Sequence, residues 1–313
     1  MMFNKKTLFL FIILSAFGCK NNKNPGTGQD TALDTAKIER KEFIRPEVPV
    51  MLTDPGQQLD FLVRHYWDHF DFADTTYVSF PEITEQAWVD YIDMLRHIPL
   101  DKAQKEMGAM MLKSVQNSKK LFLYFTEMAD KYLYDPNSPM RNEELYMPVL
   151  EAMIQTPALS DTEKMLSKHR LEWAYKNRVG TKATDFQYAD IQGKTGTLYQ
   201  VKAEYLIVFF NNPGCSSCME HIESISRSPV INQFLLENRL RILSVYSGQE
   251  LEEWKAHYAD YPVGWINGYD KPLTIETKYD LKAIPTLYLL DKNKRVLLKD
   301  APIIQIENYL RYF

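Results

Sequence analysis

Two cysteines separated by two serines, Cys215-Ser216-Ser217-Cys218, are the residues whose types and spacing best suit chemistry. Before them runs Tyr205-Leu206-Ile207-Val208-Phe209-Phe210, an unbroken apolar segment that reads as a fully buried strand. After them, Met219, Ile222 and Ile225 fall on one face of a helical pattern. Both thiols therefore belong at a strand-to-helix junction, with Cys215 at the helix N-terminus. Free backbone N–H groups and the helix dipole favour a thiolate there. A thiolate can attack a disulfide, and a second thiol can resolve the mixed intermediate. Cys215 is the expected nucleophile and Cys218 the resolving thiol, which would close the Cys215–Cys218 bridge.

Other chemistries fit less of the pattern. A structural zinc needs four ligands, and the only other cysteine is Cys19, with His221 as a lone nearby histidine. A peroxidase with a lone nucleophilic cysteine would want a threonine two residues earlier, where Pro213-Gly214 stands. A static bridge pinning the helix start stays open, although so short a loop constrains the unfolded chain little. His65 and His69 share a helix face at metal-binding spacing, but His-Tyr-Trp-Asp-His has no third ligand. We expect no metal and no cofactor. Met107, Met110 and Met111 read as core filling ahead of an adaptable binding surface.

The elements that must position the cysteines divide into two blocks. From 46 to 178 the pattern is helical. Leu59, Leu62, Val63, Tyr66, Trp67 and Phe70 form one set, and Trp88, Ile92 and Leu95, ended by Pro99, a second. The methionine set follows, then Leu121 to Met128, Met147 to Met153, and Leu171 to Tyr175. Five or six amphipathic helices with short connections predict an antiparallel all-α array without a repeat period. From 179 to 313 lie the apolar strand, the helix after the cysteines and, further on, two apolar runs joined by a short turn.

That second block resembles the thioredoxin fold. Ala283-Ile284-Pro285-Thr286 precedes the apolar Leu287-Tyr288-Leu289-Leu290-Asp291 and a Lys-Asn-Lys turn into Arg295-Val296-Leu297-Leu298. This is similar to the cis-proline loop that faces the Cys-x-x-Cys in that family. By resemblance Pro285 shapes the docking groove, and the backbone of Ile284 pairs with substrate. Gly180-Thr181-Lys182-Ala183-Thr184-Asp185-Phe186 resembles the leading segment of the TlpA/ResA branch of extracytoplasmic thioredoxins. The order of blocks is similar to Bacteroidetes lipoproteins that join a helical domain of unknown function to such a domain. The chain departs from the family in three places. Phe209 stands where thioredoxins carry a buried aspartate, His221 where this branch often has a glutamate, and Gly214 where a tryptophan commonly precedes the first cysteine. His221, and after it Glu220, are the candidates left for proton transfer.

The N-terminus suggests a compartment. Lys5-Lys6 and the apolar run from Leu8 to Leu14 precede Leu14-Ser15-Ala16-Phe17-Gly18-Cys19, which resembles a bacterial lipoprotein box. On that reading residues 1–18 are a signal peptide, Cys19 carries the lipid, and residues 19–45 form a flexible tether. An uncleaved anchor or a cut elsewhere would also export the body. Lipidation of Cys19 leaves two cysteines, both in the motif. The net charge is −4, from 37 lysines and arginines against 41 acids, and interspersed signs exclude a nucleic-acid stripe.

The expectation is an α/β thioredoxin fold at the C-terminus preceded by an all-α helical domain. The protein would be lipid-anchored in the cell envelope, facing the periplasm. It would be a thiol–disulfide oxidoreductase reducing exported protein disulfides, recycled by a membrane electron-delivery protein. Two rivals remain: a non-catalytic binding or assembly lipoprotein on a degenerate thioredoxin scaffold, and a disulfide isomerase.

Overall fold

A computed structural model of the protein describes residues 41–312. The expected signal peptide, the lipidated Cys19 and most of the tether lie outside the described residues. The expected tether ran to 45, yet Phe43 packs 4.8 Å from the Tyr66 ring and 5.3 Å from that of Trp67. Lys41 and Arg45 pair with Asp74 and Asp90. An aromatic anchor with a flanking cation on each side draws this short segment onto the helices, so the folded body includes it.

Six α-helices follow: α1 Pro55–His65, α2 Pro81–Leu95, α3 Leu100–Asn117, α4 Lys119–Ala129, α5 Glu143–Gln155 and α6 Asp161–Tyr175. Their starts are marked by short polar caps. Asp54 accepts from Gln57 N–H at 2.9 Å, Asn142 from Leu145 N–H at 3.1 Å, and Ser160 forms a capping box with Glu163. Helix α1 stops at His65, short of the expected apolar run to Phe70. Tyr66, Trp67 and Phe70 are buried from turns, their rings meeting Phe125 and Tyr91. Burial of large rings, not helical period, explains that stretch. Met107, Met110 and Met111 are core residues of α3.

The second block builds a seven-stranded sheet in the order β2-β1-β5-β4-β3-β6-β7. Its strands are β1 Gln187–Ala189, β2 Thr195–Thr197, β3 Tyr205–Asn211, β4 Leu240–Tyr246, β5 Ile266–Tyr269, β6 Thr286–Asp291 and β7 Val296–Lys299. Strand β3 is central, parallel to β4 and antiparallel to β6. Its side chains alternate. Leu206, Val208 and Phe210 enter one apolar cluster with Tyr279, Tyr288 and Leu290, and Ile207 and Phe209 enter the other. Helices α7 Ser216–Arg227, α8 Pro229–Leu236 and α10 Ile303–Tyr312 supply that second cluster, and the short α9 Leu251–Ala256 follows β4. A strand buried on both faces must be apolar throughout, which is why 205–210 shows no alternation in sequence.

Charged side chains join the blocks. Lys299 Nζ, with its side chain only 6% exposed, reaches Glu143 Oε2 at 2.6 Å and the Lys176 carbonyl at 2.9 Å. Arg141 meets Asp300 at 2.5 Å. Within the helical block, Arg178 grips Glu144 through two nitrogens. Asn177 donates to the Lys278 carbonyl at 2.8 Å and accepts from Thr184 N–H at 2.7 Å.

Candidate functional site

Strand β3 ends at Asn211, and the chain turns through Asn212, Pro213 and Gly214 into α7. Gly214 has φ +67°, a left-handed conformation that side chains resist. The turn delivers Cys215 as the N-cap of α7, with its Sγ accepting from the Cys218 N–H at 3.2 Å. One orphan donor of the helix is thus aimed at the sulfur.

The two thiols have unequal surroundings. Cys215 is half-buried, whereas Cys218 is 2% exposed and lies in the cluster with Phe209, Ile222, Ile225 and Leu287. Burial, followed by the neighbouring Cys215 sulfur, pushes the Cys218 thiol up to about 12. At neutral pH Cys218 is a protonated, shielded partner. Met219, expected on the buried face of α7, is 40% exposed, and Cys218 takes the inward position with Ile222 and Ile225. The inward stripe begins one residue earlier than the apolar pattern implied, because sulfur packs there as an apolar atom.

The Ile284–Pro285 peptide bond is cis. Ile284 is half-buried and touches the clusters on both faces of the sheet, and Thr286 Oγ1 donates to the Ala283 carbonyl at 2.5 Å. Phe210, next to the end of β3, pairs with Thr286 at the start of β6, so the Ile284–Pro285 loop and the thiols share one end of the sheet. His221 is half-buried on α7 and its Nδ1 lies 2.8 Å from the Ser217 carbonyl of its own helix. Glu220 is exposed. Phe209 is fully buried, its ring 6.1 Å from Trp265, so the place of an acid is filled by apolar packing. In the other block, His65 binds Asp68 at 2.7 Å and His69 is exposed.

Sequence spacing missed a second set of residues. Tyr261 OH donates to Asn211 Oδ1 at 2.5 Å, and Asn211 Nδ2 donates to Ser244 Oγ at 2.8 Å. Burial and the charge of the two cysteines and Asp260 raise the Tyr261 phenol, so it stays a neutral donor beneath the thiols. From α9 and the turn after it come Glu253 and His257. A Cβ placed on Gly214 would lie 3.8 Å from His257 Nε2 and 3.9 Å from Glu253 Oε1. The only sequence signal was two polar residues four apart on a short helix, 38 and 42 positions beyond Cys215 in the numbering.

Comparison with known proteins agrees with this architecture. Residues 18–177 match the family described as Domain of unknown function (DUF5106), and residues 203–296 match the family described as Thioredoxin-like. A thioredoxin-like protein from Bacteroides caccae is 54% identical, with 87% of this chain and 99% of that one covered, at a TM-score of 0.84. The chain belongs to the DUF5106 family and carries a thioredoxin-like domain after it. The C-terminal domain of an uncharacterized protein from Bacteroides fragilis is 55% identical over 43% of this chain and 98% of its own, with a TM-score of 0.43. The thioredoxin domain of a thiol-disulfide oxidoreductase from Bacteroides vulgatus is 21% identical over 43% of this chain and 96% of its own, with a TM-score of 0.38. Among proteins of curated function, none matches.

Proposed function

We propose that the protein is a thiol–disulfide oxidoreductase that reduces disulfides of exported proteins by cycling Cys215 and Cys218 between dithiol and disulfide. The observation that carries this reading is the unequal pair. Cys215 caps α7 with its sulfur on a backbone N–H and is half-buried, while Cys218 is buried and held protonated one turn behind it. An accessible thiolate attacks the substrate disulfide and forms a mixed disulfide. The shielded thiol then attacks Cys215 Sγ, the Cys215–Cys218 bond forms, and the substrate leaves as a dithiol. The half-buried Ile284 and Pro285 at the same end form the docking edge for the substrate backbone. The lipoprotein-like box ending in Cys19 supports an envelope anchor facing the periplasm. A reductase in that oxidising space needs a membrane electron-delivery protein to restore its thiols.

The test is the Cys215–Cys218 reduction potential, measured on the protein equilibrated in glutathione and dithiothreitol buffers. A reversible couple near or below about −270 mV supports a reductase. A value near about −180 mV or higher would make it an isomerase or oxidase. A pair that never cycles would leave only a binding scaffold.

A further inference from the structure

Thiol–disulfide exchange moves two protons as well as two electrons. The cluster around Cys218 holds Phe209, Ile222, Ile225 and Leu287, none of which can carry a proton. His221 is turned to the carbonyl of Ser217, and the Tyr261 hydroxyl is committed to Asn211. A proton carrier has to come from another element.

Helix α9 and its following turn supply one. His257 Nδ1 lies 2.8 Å from Asp260 Oδ2, so the ring donates from Nδ1 and leaves Nε2 as the free atom. That Nε2 is the atom 3.8 Å from where a Cβ on Gly214 would stand. Gly214 is the residue before Cys215, so the imidazole stands beside the turn that delivers the thiol. The absence of a side chain at Gly214 keeps the approach open. The helix is held rigidly. Trp254 is 1% exposed, with its ring 5.5 Å from Tyr258 and 5.2 Å from Tyr269. The backbone bonds His257 N–H to Glu253 carbonyl at 3.2 Å and Asp260 N–H to His257 carbonyl at 3.0 Å fix the turn. The titratable groups around the ring are Asp260, bonded to it from the turn, and Glu253 of α9, whose Oε1 approaches the same side of Gly214. A protonated imidazole beside a cysteine is a general means of favouring the thiolate.

We propose that His257, oriented by Asp260 as a positioning residue, is the proton-transfer residue of the Cys215–Cys218 pair. The inference rests on the redox reading above and deepens it. In the first step the Cys215 thiolate attacks one substrate sulfur, the substrate S–S bond breaks, and the departing thiolate takes the proton on His257 Nε2. In the second, Cys218 attacks Cys215 Sγ and its proton passes to the now neutral imidazole. The substrate's remaining sulfur leaves and takes that proton. The protein loses two electrons and two protons, one from Cys218 and one from His257, and the substrate gains both as two thiols.

The test is the rate of Cys215 alkylation by iodoacetamide between about pH 5 and 9, on the full chain with Cys218→Ser, followed by mass of the Cys215 peptide so that Cys19 does not interfere. The parent should show two inflections, one for the imidazole and one for the thiol. In His257→Gln the imidazole inflection disappears, and alkylation near neutrality falls about tenfold, the effect of one lost neighbouring cation on thiolate fraction. Asp260→Asn, which keeps a neutral acceptor for the ring, gives a curve between the two. Superimposable parent and His257→Gln curves would overturn the assignment. Should His257→Gln fail to fold, Asp260→Asn decides alone, since a curve identical to the parent's also overturns it. The readout follows the thiol, not turnover. A pair that cycles with an unchanged profile therefore sinks this inference only, and a pair that does not cycle sinks the redox reading.

Discussion

The junction between the helical block and the sheet, and the cysteine end of the same sheet, use polar groups in opposite ways. At the junction, charges are buried and matched. Lys299 is shared by Glu143 and two backbone carbonyls, and Arg141 faces Asp300. Burial raises the carboxyls of both Glu143 and Asp300, and the cations beside them oppose that shift. At the cysteine end, beside the buried Tyr261–Asn211–Ser244 set, stand polar groups that are partly exposed and only partly committed. His257 has one nitrogen on Asp260, and Cys215 has one backbone donor on its sulfur. At the junction each charge has a charged partner, although Asp300 Oδ1 is left without a hydrogen bond, and the pairs hold a geometry. At the cysteine end the open atoms sit on groups that can exchange protons or electrons. The contrast also explains why the buried ions need not improve stability over an apolar seam, while losing one partner is costly.

The comparison can be broken most sharply at Lys299. Replacing it with methionine leaves Glu143 in a desolvated place without its cation, and should cost about 3–5 kcal/mol in urea unfolding. The alkylation profile of Cys215 should stay where it was. A Lys299→Met protein of native stability would show that the junction is not the tightly matched seam described here.

The next largest effect belongs to Cys218. A thiol raised in the folded state contributes stability that is complete below the ordinary thiol range and is lost as pH climbs toward the folded value of about 12. Reduced protein should therefore lose about 1.4 kcal/mol per pH unit above about pH 8.5. Oxidised protein has no such thiol and should not. Parallel melting curves of the two forms between about pH 8 and 10 read the difference.

Tyr261→Phe removes the buried donor to Asn211 Oδ1 and should destabilise by about 1–2 kcal/mol, seen in denaturant unfolding at unchanged slope. The smallest effect is expected away from both regions. Arg239 and Glu204 form an exposed two-nitrogen pair at 2.8 and 2.9 Å, and Glu204→Gln should leave the melting temperature unchanged, as solvent and salt screen such pairs.

Different parts of the molecule were legible to different degrees. The strand at 205–210, the helix after it and the two cysteines were readable because they are contiguous, and local spacing carries period and capping. The helical block was readable in outline. Only the aromatic turn after His65 misled, since large buried rings imitate a helical period. Met219 misled in a smaller way, by suggesting an inward face that the adjacent sulfur occupies. The group placed beside the cysteines was not legible. His221 lies near in sequence but turns to its own helix, whereas His257 lies far along the chain and reaches Gly214.

By itself the sequence determined the chemistry available and the scaffold class: two thiols at a helix start, a strand buried on both faces, and an Ile-Pro loop ahead of a hairpin. The strand and the helix start follow from local rules of period and capping, which act over a few residues, and the loop and scaffold class from resemblance to the thioredoxin family. Tertiary structure alone decided which thiol is shielded, which histidine faces the loop, and how the blocks are joined. Those depend on pairing β4 beside β3 and on burying Trp254, contacts between residues distant in the chain. The register of long-range packing has no local signature, so nothing in the local pattern places α9 beside Gly214.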